Sequence, residues 1–109
     1  MPRGGGLGNM NELLRQAQKM QSQMAHVQDA LKDRIVEGTA GGGMVKVLVN
    51  GKQDIVAVKI DPEVIDPDDA AMLEDLVLAA TRQGLQKAKE LAQAEMSKAT
   101  GGLSLPGMF

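Results

Sequence analysis

The sequence has no cysteine, no tryptophan and no tyrosine, and its single phenylalanine is the last of 109 residues. Each absence excludes something. Without cysteine there is no disulfide framework, no thiolate nucleophile and no thiolate metal site. Without tyrosine there is no phenolic acid for catalysis. One histidine, His26, cannot supply a histidine-rich metal centre, and Ser22, Ser97 and Ser104 would have to share it as a catalytic base. The acids are not set in an aromatic or apolar pocket that would raise a carboxylate pKa. The chain is therefore not expected to be an enzyme, and no cofactor or small-molecule substrate is expected.

Long apolar runs are also missing. No segment approaches the ~20 residues of a membrane helix. The start, "MPRGGGLGN", lacks the hydrophobic stretch of a signal peptide. These features point to the cytoplasm, with no membrane partner. With so few aromatics, the core must come from Leu, Val, Ile, Ala and the eight methionines, whose flexible side chains pack adaptably.

The formal charge is −2, but it is unevenly spread. Residues 53–75 hold eight acids and one base, a net of −7. The rest of the chain holds eleven bases and six acids, a net of +5. Basic surface is thus expected toward the helical ends.

Three segments are expected: a flexible glycine-rich start at 1–8, one domain at 9–99, and a flexible tail at 100–109. From Asn9, a plausible N-cap like Asn11, apolar residues recur in an a/d heptad seam. They are Met10, Leu13, Ala17, Met20, Met24, Val27 and Leu31. The period then changes to two. Strands are expected over 34–40, 44–50 and 54–60. Asn50-Gly51 carries a hairpin signal, and Pro62 stops the third strand. Asp66 followed by Pro67 reads as the cap of a second long helix over 67–99. Its buried stripe is Leu73, Leu76, Val77, Ala80, Gly84, Ala88 and Leu91. Gly84 either allows close approach of another helix or marks a weak point.

The reading is an α+β fold, α-β-β-β-α, with a three-stranded antiparallel sheet and two long helices. Such a chain exposes a heptad seam and two sheet edges. A symmetric homodimer is the simplest way to cover them.

The triplet Gly41-Gly42-Gly43 resembles a phosphate loop only superficially. A phosphate loop leads into a helix N-terminus, whereas these glycines lead into a strand and lack the Lys-Ser/Thr of a Walker motif. A hairpin or bulge is the better reading. The "GGGLGN" before the first helix has no preceding strand. The acids at 61–69 lack EF-hand spacing, and helix capping accounts for Asp66, Asp68 and Asp69. No metal site is expected, and His26 falls on the outward helix face.

Basic residues on the helices remain. Arg15 and Lys19 are i, i+4 neighbours. Arg82 and Lys89 are seven apart, and Lys87 and Lys98 eleven apart, so each pair shares a helical face. One reading makes them solvated surface charges, with Arg15 paired to Glu12 and Lys87 to Glu90. The other makes them phosphate contacts on duplex DNA. Few aromatics disfavour stacking on single strands, and no helix-turn-helix or zinc finger is present to read bases. Contacts would then be mainly to phosphate, salt-sensitive and of limited sequence specificity.

These features together resemble the YbaB/EbfC family of bacterial nucleoid-associated proteins. The resemblance rests on Gly38-x-Ala40-Gly41-Gly42-Gly43-x-Val45-x-Val47, then Asn50-Gly51, then Lys59-Ile60-Asp61-Pro62. The stretches "NMNELLRQAQKMQSQM" and "LPGMF" are similar to the family's ends. The resemblance implies a tweezer-like homodimer whose body carries the strands and whose paired helices project as arms. It implies duplex DNA binding and a role in nucleoid organisation or gene regulation. By position and charge, it assigns DNA contact to Arg15, Lys19, Arg82, Lys87 and Lys89. The alternative is a protein-interaction scaffold that uses its arms to hold other proteins, with DNA binding weak or incidental.

Overall fold

The structure is a computed structural model and describes residues 3–99, with side chains from residue 9 onward. The elements are α1 (Arg3–Leu31), β1 (Ile35–Ala40), β2 (Val45–Asn50), β3 (Ile55–Ile60), one 3₁₀ turn (Pro62–Val64) and α2 (Ala70–Ala99). The α-β-β-β-α order is the one the periodicities indicate. The tail expected at 100–109 lies outside the described residues.

Both helix starts differ from the sequence expectation. α1 begins at Arg3, so Asn9 and Asn11 lie inside the helix and cap nothing. The apolar seam begins at Met10 and carries no information about the turns before it. α2 begins three residues later than the Asp66-Pro67 signal suggests. Asp66 instead makes a local turn, its carboxylate accepting from Asp68 N at 2.9 Å and its carbonyl from Asp69 N at 2.9 Å. Asp69 is the cap, its Oδ1 accepting from Met72 N at 3.2 Å. Three aspartates within four residues offer two registers, and the turn takes the first.

The sheet order is β1-β2-β3, antiparallel throughout. The glycine triplet is the β1–β2 hairpin turn. All three glycines have positive φ, at 63°, 68° and 92°, a run that L side chains do not tolerate. The Asn50-Gly51 hairpin is present. Asn50 N donates to Asp54 O and Gln53 N to Asn50 O, both at 2.9 Å, and the left-handed residue is Gln53, φ 66°. This is a three-residue loop with the left-handed position last. Asn50 is buried. Its Oδ1 accepts from Lys52 N at 2.9 Å and Asp54 N at 3.0 Å, so it holds the loop from inside. Between Leu48 and Val49 the β2–β3 register shifts, and Val56 is left without a partner.

Val45, Val47 and Val49 are fully buried against Ala80 and Ala88 of α2. Each such valine contributes on the order of 1.5–3 kcal/mol. The helix comes so close because glycines meet there. A Cβ on Gly38 would overlap Ala80 O and the Gly84 backbone, and one on Gly84 would lie 2.8 Å from Val49 Cγ2. Gly84 therefore serves close approach to the sheet rather than to a second helix.

α2 packs on β1 and β2 and also closes the β1 edge. Gln83 Oε1 accepts from Thr39 N at 2.7 Å, and Lys87 Nζ donates to Glu37 O at 2.9 Å. Two side chains one helical turn apart thus occupy edge groups that could otherwise recruit a strand.

α1 is tied to this body at its C-terminal end. Gly51 N donates to Leu31 O and to Arg34 O, both at 2.9 Å, beside the buried Leu31. α1 meets α2 from Ser22 onward, antiparallel to its last turns. Before that point α1 projects, leaving Met10, Leu13 and Leu14 more than half exposed and giving a molecule of 79 × 23 × 17 Å.

Two substitutions test this packing by denaturant unfolding. Gly38→Ala should cost about 2–3 kcal/mol, because backbone atoms of α2 cannot move aside cheaply. Gln83→Ala should cost about 1 kcal/mol by leaving the Thr39 amide without its acceptor.

Candidate nucleic-acid interface

The cations singled out from the sequence fall on three surfaces. Arg15 and Lys19 lie one turn apart on the projecting part of α1, both exposed. Ala80, Gly84 and Ala88 define the sheet-facing side of α2. At about 100° per residue, Arg82 and Lys89 point to the opposite side, into solvent. No ion pair or hydrogen bond engages the side chains of Arg15, Lys19, Arg82 or Lys89 among the described residues. The expected Glu12–Arg15 pair does not form.

Lys87 is placed differently. It lies on the sheet side of α2, and its ammonium is spent partly on Glu37 O. Glu90 accepts from Gln86 Nε2 at 3.1 Å and not from Lys87. The face shared by Lys87 and Lys98 is thus the inward one. Lys98 Nζ lies 3.4 Å from Glu95 Oε1.

One basic group was missed by the sequence reading. Arg34, in the link between α1 and β1, places Nη1 3.4 Å from the same Glu95 oxygen, 61 residues away in sequence. Single-element periodicity cannot detect a cluster drawn from a helix, a link and a second helix. His26 lines the same crevice, together with Val27, Ala30 and Leu31.

The charge is segregated in space as well as in sequence. Asp61, Glu63, Asp66, Asp68, Asp69, Glu74 and Asp75 are all exposed and gather where β3 passes into α2. The other end of α2, about 40 Å away at 1.5 Å per residue, is where α1 joins. A polyanion is repelled at the first end and can approach the second.

A second surface is apolar. Ala70, Leu73, Glu74, Val77, Leu78 and Thr81 line a groove on the flank of α2 opposite Gln83 and Lys87. This is the β3 side. Among the described residues β3 has no neighbour beyond it, and Ile55, Val56 and Val58 are each about half exposed. Among the described residues no group of His, Cys, Asp and Glu side chains could hold a metal ion, and no helix is long and apolar enough to cross a membrane.

A nucleoid-associated protein of Clostridium kluyveri is 54% identical over 108 residues, covering 99% of this chain and 95% of its own. One from Caldanaerobacter subterraneus subsp. tengcongensis is 49% identical over 111 residues, with both chains covered completely. The crystal structure of an uncharacterized Helicobacter pylori protein shares the fold, with a TM-score of 0.69 at 24% identity, covering 84% of this chain and 94% of that one. The YbaB/EbfC DNA-binding family matches residues 6–103, nearly the whole chain, and the protein belongs to that family.

Proposed function

We propose that this protein binds duplex DNA as a homodimer, through phosphate contacts of limited sequence specificity, and that it acts in the nucleoid in chromosome organisation or gene regulation. The observation that carries the reading is the set of cations on the outer helical faces that have no partner among the described residues, with Arg15 and Lys19 on the part of α1 that projects away from the acidic end. Arg15 and Lys19 stand on a helix that projects from the body, as an arm along a duplex requires. Arg82 and Lys89 offer a second face, and Lys87, with one ammonium hydrogen on Glu37 O, keeps two for a phosphate. The names of the relatives, nucleoid-associated proteins at about 50% identity, point the same way.

The dimer follows from what the single chain leaves uncovered. α2 shields two of the three strands and closes the β1 edge. The apolar groove and the exposed residues of β3 lie side by side, and among the described residues no other element covers them. A second copy fits them best, since a twofold contact covers both copies at once. Pairing also doubles every cation available to the duplex.

Two measurements test the proposal. In a gel shift on random duplex DNA, affinity should fall steeply with salt. Arg15→Glu with Lys19→Glu should weaken binding by at least about tenfold at low salt while leaving the thermal melt in place. Unchanged binding would remove the α1 surface from the account. Leu78→Glu should shift the chain toward monomer in sedimentation, because a carboxylate cannot be buried in an apolar contact without a cost of several kcal/mol.

A further inference from the structure

We infer that the crevice between α1 and α2 continues the phosphate-binding face of α1, and that Glu95 holds the place of a DNA phosphate there in the free protein. The inference rests on the DNA reading above and adds Arg34 and Glu95, which neither periodicity nor family membership assigns.

Arg15, Lys19, Ser22 and His26 follow one another at intervals of four, three and four. In a helix these intervals keep all four within about 40° of one line. The proposed α1 surface therefore runs straight into the crevice. Ser22, Gln23, His26 and Val27 form one wall of it, opposite Lys98 and Ala99, and the same cleft continues between His26 and Arg34. From Arg15 to His26 the line covers about 16 Å at 1.5 Å per residue, room for several consecutive phosphates of one strand.

At its inner end two cations converge on a single atom. Arg34 Nη1 and Lys98 Nζ each lie 3.4 Å from Glu95 Oε1. Charge-assisted hydrogen bonds run about 2.7–2.9 Å, so both contacts are loose. The Glu95 side chain is 23% exposed, and the two cations are each more than half exposed, so solvent and ligands reach them. A phosphate offers what the carboxylate does not: enough oxygens to accept from the guanidinium fork, the ammonium and the imidazole N–H together. Among the described residues only one Glu95 oxygen is engaged, and it occupies the acceptor position. DNA binding at the crevice thus exchanges Glu95 for a phosphate, and the carboxylate lowers the affinity of the free protein for duplex.

A merely structural ion pair and a phosphate mimic predict opposite results for Glu95→Gln. We expect the variant to bind duplex about 3- to 10-fold more tightly than the parent at low salt, with a salt slope steeper by about 1 for each further phosphate neutralised. Arg34→Gln with Lys98→Gln should bind more weakly with a shallower slope, and adding Glu95→Gln to that pair should restore nothing. If Glu95→Gln binds no tighter than the parent, or the double variant binds as the parent does, the inference fails. An independent reading uses His26, whose imidazole NMR signals are unambiguous because the chain has no other histidine. With inorganic phosphate added at constant pH and ionic strength, these signals should move further in Glu95→Gln than in the parent, and least in the double variant. No movement in any of them overturns the crevice as an anion site. A parent that binds no duplex, with the phosphate response intact, overturns the DNA reading and leaves the site.

Discussion

The arrangement depends on one close contact, the seating of α2 on the sheet at Gly38 and Gly84. No side chain separates the two backbones there, so the helix sits deep over β1 and β2 and its position is narrowly fixed. The buried valines of β2 fill the space on one side of the seat, and Gln83 and Lys87 reach the β1 edge on the other. A helix fixed so far toward β1 cannot also cover β3. The bare strand and the apolar flank of α2 beside it are thus consequences of the same contact. The glycine triplet supports this geometry, since its turn brings β1 back beside β2 with Gly41 close under Leu76.

The second organising feature is the separation of sign. Acids collect at the start of α2, where Asp61 and Asp69 also serve as local caps. Cations lie on the outer helical faces and at the joint between α1 and α2. A chain with a formal charge of −2 can approach a polyanion only if it presents its ends unequally, and the long, narrow shape lets it do so. The joint has a particular place in this scheme. Gly51 fixes α1 to the body through two carbonyls, and Arg34 sits beside that attachment with its side chain on Glu95 of α2. An anion that competes for Arg34 therefore acts at the base of the arm.

Much of this was legible in the sequence because it depends on local periodicity. The heptad seam located α1, alternation located three strands within a residue, and Asn50-Gly51 located the second hairpin. What the sequence did not disclose came from choices between equivalent local options or from distant residues meeting. Asp66 and Asp69 are both good caps, and only backbone geometry decides between them. Asn50-Gly51 marked the hairpin but not which residue is left-handed, and Gln53 takes that position because the buried Asn50 side chain organises the loop. Gly84 could be read as a close approach to another helix or as a weak point, and its partner proves to be Gly38 of the sheet, 46 residues earlier in sequence. Glu95 and Lys98 are three apart on one helix, but the arrival of Arg34 beside them has no one-dimensional signature, whereas Arg15 and Lys19 needed only helical spacing to be seen together.

The claim on which the rest turns is that a single chain leaves the β3 side of its sheet uncovered and a second copy covers it. Sedimentation equilibrium of the unmodified protein, taken from high to very low concentration, tests this most directly. The account predicts twice the chain mass over most of that range, with loss of helical signal where the pair finally separates. A single-chain mass that persists with full secondary structure and a cooperative melt would contradict it.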